Sequence, residues 1–414
     1  MRSESTFRIA IRKFGPFESA IEKIWRSFQE TTGSALTLDA EALDLNPLYE
    51  SLFTHGGLKD GTWDVAFIVT DWLAEAVEEG ALLDLAPYMR SAPPPDYPHG
   101  WTPTLTQFQH FGDAVYGLPY HDGPECFIYR RDLFEDEGEQ RAFEQRFRYR
   151  LAPPRSWEQF YDLARFFTRP ERDLYGTVFA AFPDGHNSVY DFCLQLWSRC
   201  GDLADSSGAV TLDTPQAVAA LDFYRGIVGD RTASYPEPET IDSVRSGELF
   251  NQGKVAMMVN WFGFAAACEQ PDSPVKGKVA IAELPSGSLM VEEATSVSLS
   301  VYWTLAIGSS SRHKDEAYAF LRHACSPEMD KLTTLEGAIG CRLSTWSDPE
   351  VNTAIPFYHR LADLTPGART LPRSRHFPVL AHVIDEMVQQ AISGSETSGE
   401  LTRQAQAKAA HIRL

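Results

Sequence analysis

Short polar–aromatic pairs stand where apolar runs of this chain break off. Such a pair can hold a small molecule without reacting with it, because the ring offers a flat apolar surface and its neighbour a directed hydrogen bond. Asp71-Trp72 follows the run from Trp63 to Val69, Tyr120-His121-Asp122 follows an interruption at Gly117-Leu118-Pro119, and Asn260-Trp261 closes the run from Lys254 to Val259. The plainer alternatives are a helix-capping Asp with a packed Trp at the first place and a bland turn at the second. Patterns for covalent chemistry do not form. Gly247 to Lys254 resembles a phosphate loop, but five residues intervene before the next glycine and Val255 stands where a Ser or Thr would meet magnesium. There is no GxSxG, no HExxH and no GxGxxG behind a strand, and nothing places two carboxylates together for glycoside hydrolysis. No metal or cofactor is expected: the six cysteines contain no CxxC pair and no ligand spacing. Cys193 and Cys200 are close enough in sequence to form a disulfide.

The rest of the composition bounds the setting. A chain of 414 residues calls for two or three cooperating units, and 43% hydrophobic content with 12% aromatics is that of a folded protein. Nine Trp, fifteen Tyr and twenty-five Phe exceed what a minimal core needs, so some belong at a ligand surface. A net charge of -20 disfavours nucleic acid and anionic membrane as partners. The longest uncharged stretches are too short or too polar to span a bilayer, which predicts a soluble protein. The start MRSESTF leads straight into Phe7-Arg8-Ile9-Ala10-Ile11 with no basic-then-apolar leader. That is expected of a cytoplasmic chain or of an exported one lacking its leader.

The elements that would position these residues alternate between strand and helix. Phe7 to Ile11 is a strand, and Ala20, Ile21, Ile24, Trp25 and Phe28 give the next helix its apolar face until Gly33 stops it. The run from Trp63 to Val69 is a buried strand, Thr70-Asp71-Trp72 a loop, and Leu73 to Gly80 a helix; ligands meet such units at the carboxyl ends of strands. Cys126 to Tyr129 re-enters structure after Pro119, which makes Gly112 to Phe134 a passage between two compact units. Beyond a charged insert from Glu135 to Arg150, Ser156 caps a helix over Trp157 to Phe167. Tyr175 to Phe182 reads as a buried strand, Val189 to Cys200 and Ala217 to Val228 as helices, Lys278 to Ala282 and Val301 to Ile307 as strands, and His313 to His323 as a helix. The class is α/β.

In order and spacing, the chain resembles the carbohydrate-type (family 1) extracellular solute-binding proteins of ABC importers, the group of the maltose- and glycerol-phosphate-binding proteins. The resemblance covers nearly the whole length. It rests on Trp63-Asp64-Val65 through Asp71-Trp72, Gly80-Ala81-Leu82-Leu83-Asp84-Leu85, Val115 to Tyr120 with Tyr129 and Asp132-Leu133-Phe134, and Pro154-Arg155-Ser156-Trp157. It continues through Leu196-Trp197, Gly253 to Met257 before Trp261, Leu284-Pro285-Ser286-Gly287, Lys314 to Leu321, and Gly340-Cys341-Arg342-Leu343-Ser344 with Asp348-Pro349-Glu350. The resemblance implies a two-lobed periplasmic-binding-protein fold (type II), with discontinuous lobes joined by a hinge of three crossings. Lobe 1 would comprise residues 1–119 and 286–325, and lobe 2 residues 120–285 and 326–414. It also implies a monomeric, non-catalytic component, periplasmic or extracellular, that captures a carbohydrate between its lobes, closes on it, and delivers it to ABC permease membrane subunits.

Carbohydrate packs the C–H face of its ring on aromatic planes and directs hydroxyls at carboxylates and guanidinium groups. The candidate ligand residues are therefore Asp71, Trp72, Tyr120, His121, Asp122, Asn260 and Trp261, of which Trp261 resembles the family position that stacks on sugar. Trp197, Trp303, Arg342 and Trp346 join them from the family pattern, with core packing or a salt bridge as their alternatives; Glu125 has a weaker case. Two further functions stand beside this one. The aromatics with Asp71, Asp122 and Glu125 could cage a cationic osmolyte or polyamine, or the chain could be a glycan-processing enzyme.

Overall fold

A computed structural model describes residues 5–287 and 295–414 of the chain. They form two compact units, the first from Met1–Gly123, Ser300–Pro366 and Arg373–Arg375, the second from Pro124–Leu299, Gly367–Pro372 and His376–Leu414.

The first unit is built on a five-stranded sheet in the order Thr37–Leu43, Thr6–Arg12, Val65–Val69, Trp303–Ile307, Leu118–His121. Thr6–Arg12 runs parallel to both of its neighbours, and Trp303–Ile307 runs antiparallel to the strands on either side of it. The carboxyl ends of four strands and the amino end of Trp303–Ile307 consequently share one edge of the sheet. Val65–Val69 is buried at every position, as a central strand covered on both faces must be. Pro119 lies inside a strand rather than in a pause before one; Leu118–His121 is the last strand of the sheet, where a missing donor is tolerated. The helix Gly15–Thr32 buries Phe17, Ala20, Ile21, Ile24, Trp25 and Phe28, and Gly33 ends it in the left-handed conformation that glycine reaches without a Cβ penalty.

The second unit carries an antiparallel sheet in the order Met257–Trp261, Glu125–Arg130, Val279–Ala282. Against it pack helices whose starts follow the sequence signals. Ser156 accepts a bond from the Gln159 N–H, and Thr214, followed by Pro215, accepts one from Ala217. Each such cap is worth about 1 kcal/mol.

Several expectations are corrected. Tyr175 to Phe182 is not a strand: Tyr175 bridges Val255 and Thr177 bridges Ser234, single contacts with different partners in place of a ladder. The cause is visible at Gly176, where a Cβ would lie 1.8 Å from the Ala164 carbonyl, so the segment is pinned against the preceding helix. The helix after Val69 begins at Thr70, which puts Asp71 and Trp72 in its first turn instead of a loop. The charged insert from Glu135 to Arg150 contributes to the core, since Phe143 is fully buried against Phe147, Tyr149 and Phe166. The chain leaves the first unit after Gly123 and not after 119, and returns at Ser300 and not at 286. Residues 326–366 belong to the first unit; in place of one third crossing, the chain passes over after Pro366 and touches back for Arg373–Arg375. Cys193 is buried and Cys200 exposed, and neither is in a disulfide, so the two do not pair.

Candidate functional site

Unit by unit, the sequence candidates separate into groups at strand ends and groups that hold the fold. At the shared edge of the first sheet, Trp303 opens its strand opposite Val69 on one side and His121 on the other. Its ring stands edge-on to Trp72 at 6.0 Å and remains partly exposed. Trp72 itself is core, buried with Tyr49 and Phe53 around it. Asp71 is buried in the first helical turn, where a carboxylate suits the positive end of the helix. Arg12 and Lys13, at the end of their own strand, pair with Asp44.

Tyr120 is enclosed by the first unit and accepts a bond from the Thr333 hydroxyl. His121 accepts the Ile339 N–H at Nδ1, 2.8 Å, which leaves its remaining proton on Nε2. Burial pushes this imidazole down to about 3, so it is neutral at ordinary pH. Asp122 is fully buried, and burial lifts its carboxyl to about 7 against hydrogen bonds from the Ser300 hydroxyl and the Gly123 backbone. One oxygen takes the Ser300 bond at 2.8 Å; the other has no hydrogen-bond partner.

These two neighbours pull stability in opposite directions with pH. From about pH 4, where an ordinary Asp ionises, up to about 7, the folded chain holds a proton on Asp122 that the unfolded chain has lost, so rising pH costs stability. The neutral His121 costs stability as pH falls from about 6.5 toward 3. Asp122→Asn removes only the first effect. Its stability relative to the wild type is expected to rise between pH 4 and 7 and to level off above, as read by urea unfolding at several pH values; a difference that does not change with pH would contradict a protonated Asp122.

Two candidates from the C-terminal pattern are structural. Arg342 is 1% exposed, donates through its terminal nitrogens to the carbonyls of Pro95 and Cys325 and to Asp96, and lies 4.2 Å over the Trp101 ring. Trp346 is buried and its indole donates to the Gly340 carbonyl at 2.8 Å. The salt-bridge alternative for Arg342 therefore holds, but within one unit.

In the second unit, Trp197 is buried in the helix Asn187–Ser198 with the Arg369 guanidinium 4.4 Å over its ring. Asn260 spends its whole amide on the fold: Nδ2 donates to the Ser243 carbonyl and the Ser246 hydroxyl, and Oδ1 accepts the Trp261 N–H. It thereby fixes the strand end from which the partly exposed Trp261 projects. In register, Trp261 stands directly opposite Glu125, so the two side chains share a face. Glu125 is buried with one carboxylate oxygen lacking a partner. Tyr190 meets Trp261 edge-on at 5.8 Å, and Asp191 next to it accepts the Tyr224 hydroxyl at 2.9 Å. Burial first, and then the Asp191 charge, raise the Glu125 carboxyl well above its usual range. Tyr190 and Asp191 escaped the sequence reading. Their signal is a lone charge inside an otherwise uncharged helix, NSVYDFCLQLWS, a pattern that also fits a solvated helix face.

Among the described residues, no group of three or more His, Cys, Asp or Glu could hold a metal ion, and no helix is long and apolar enough to cross a membrane. Two α/β units whose strand ends present rings beside buried carboxyls define a protein that binds a small molecule. Residues 28–331 match the model of the bacterial extracellular solute-binding proteins, and the chain belongs to that family. A Deinococcus radiodurans protein named "Probable ABC transporter-binding protein" is 26% identical over 65% of this chain, and the match spans 61% of that relative's length. The mannitol-binding protein of Pseudomonas aeruginosa is 26% identical over 81% of this chain and 74% of its own. Among solved structures, an ABC transporter solute-binding protein from Agrobacterium radiobacter K84 in complex with ribitol superposes with a TM-score of 0.85 at 23% identity, covering 98% of each chain. Maltose-bound T. maritima MalE3 gives 0.84 at 21% identity, again with 98% of each chain covered. The fold is that of these two-lobed binding proteins, and the family consists of substrate-binding components of transporters.

Proposed function

We propose that this chain is the substrate-binding component of an ABC importer for a polyol or small saccharide. It acts as a monomer outside the cytoplasm, hands its ligand to the permease subunits, and performs no chemistry on it. The observation that carries this reading is Trp261: a partly exposed indole at a strand end, fixed by Asn260 and directly opposite the buried Glu125 carboxyl. That combination suits a molecule with C–H faces and hydroxyls, and each hydroxyl partner left unmatched by a wrong ligand costs about 1–3 kcal/mol. Asp71, Trp303 and Asp122 supply groups of the same kind at the edge of the first sheet. Relatives with the same fold include proteins named for mannitol or solved with ribitol and maltose. A thermal-shift screen against pentitols, hexitols, monosaccharides and maltodextrins tests the reading. At least one of these should raise the melting temperature by several degrees with no product released; a folded protein indifferent to all of them would refute it.

A further inference from the structure

The second unit holds a pair of acids with no countercharge. Glu125 is 4% exposed and its Oε2 has no hydrogen-bond partner, yet it sits at the open end of its strand opposite the partly exposed Trp261. Asp191, also partly exposed, has the Tyr224 hydroxyl on one oxygen. Among the described residues, no Lys, Arg or His forms an ion pair with either acid. Arg369 is committed to Asp202 at 2.8 Å and to the Trp197 ring; His186 lies with Asp184 and the Tyr190 ring. The remaining groups that face the pair are Tyr224, Cys193 and, through Tyr224, Asp385, none of them cationic. Burial raises both carboxyls and the Asp191 charge raises Glu125 further, so the pair retains a proton. The rings of Trp261 and Tyr190 meet edge to face beside the acids.

We propose that Glu125 and Asp191, walled by Trp261 and Tyr190, form a subsite for an ammonium group, and that the preferred ligand is an amine-bearing polyol or amino sugar. This rests on the polyol reading above and narrows it. An ammonium provides what the pair lacks: N–H donors for the empty Glu125 oxygen, positive charge for both acids, and a cation for the indole face. Its arrival lets both carboxyls ionise, so the retained proton leaves as the ligand binds.

Calorimetry with 1-amino-1-deoxyglucitol, its neutral counterpart glucitol, and ribitol decides the matter. The amine is expected to bind at least about tenfold more tightly than glucitol. Repeating the titration in buffers of different ionisation enthalpy should show about one proton released for the amine and none for the polyols. Glu125→Gln and, independently, Asp191→Asn should each collapse the preference toward unity and abolish proton release; two variants guard against one that fails to fold. If the neutral polyols bind and the amine shows no preference, the ammonium subsite is refuted while the polyol reading stands. If the preference survives both substitutions, these acids are not its source and the proposal falls. If neither polyols nor amine bind, the reading beneath it falls as well.

Discussion

Trp261→Ala is expected to lower affinity for the captured polyol or saccharide by about 100-fold, which is close to 3 kcal/mol, while shifting the melting temperature by only a few degrees. The asymmetry follows from where the ring stands. It is partly exposed at the end of its strand, so removing it takes little from the core, and Tyr190 meets it only edge-on, at 5.8 Å. The backbone beneath it is held independently by Asn260, whose bonds to Ser243 and Ser246 survive the substitution. What disappears is a flat apolar wall beside a buried acid, where a C–H face would lose both its packing and the exclusion of water. Calorimetric titration reads the affinity and differential scanning calorimetry the stability. Trp346→Ala should show the reverse: a fully buried indole bonded to the Gly340 carbonyl costs stability when lost. An unchanged affinity for Trp261→Ala would remove this residue from the site.

Arg342→Ala should destabilise the protein by about 2–5 kcal/mol, because the carbonyls of Pro95 and Cys325 lose charge-assisted donors and each buried acceptor left unpaired costs about 1–3 kcal/mol. The stack on Trp101 goes with them. The partner carboxylate of Asp96 is 68% exposed and returns to water at little cost, so the loss comes from the carbonyls and the packing rather than from a stranded charge. Arg342→Lys should rescue only part of it, since an ammonium cannot reach the same acceptors as a planar fork. The urea midpoint reports both variants. A variant that keeps its midpoint and loses ligand affinity would return Arg342 to the list of ligand groups.

Both predictions turn on a distinction that sequence pattern makes poorly. The strand Val65–Val69 was legible because its burial is continuous. Tyr175 to Phe182 looked alike and failed, because apolar content records burial and not hydrogen-bond partners. The Gly and Pro that flag the first crossing stand a few residues before it: the chain leaves the first unit after Gly123 instead of after 119. Residues 326–366 lie in the first unit, to which they are tied by bonds to residues far back in the chain, Thr333 to Tyr120, Ile339 to His121 and Arg342 to Pro95. Arg342 and Trp261 are both ligand candidates in the sequence, Trp261 the stronger; the carbonyls around one and the partly exposed face of the other separate them. Asp191 was hidden for a related reason: its significance lies in Glu125, which is far away along the chain and reaches it only in the folded unit.

The central claim is that a hydroxyl-rich small molecule is bound reversibly and unchanged. Isothermal titration calorimetry of the intact chain with mannitol, ribitol and maltose, coupled to analysis of the recovered ligand, meets that claim most directly. One saturable site per chain, micromolar or tighter for at least one ligand class, with the ligand recovered intact, is the predicted result. No heat from any of them on a folded protein, or recovery of a cleaved product, would contradict it.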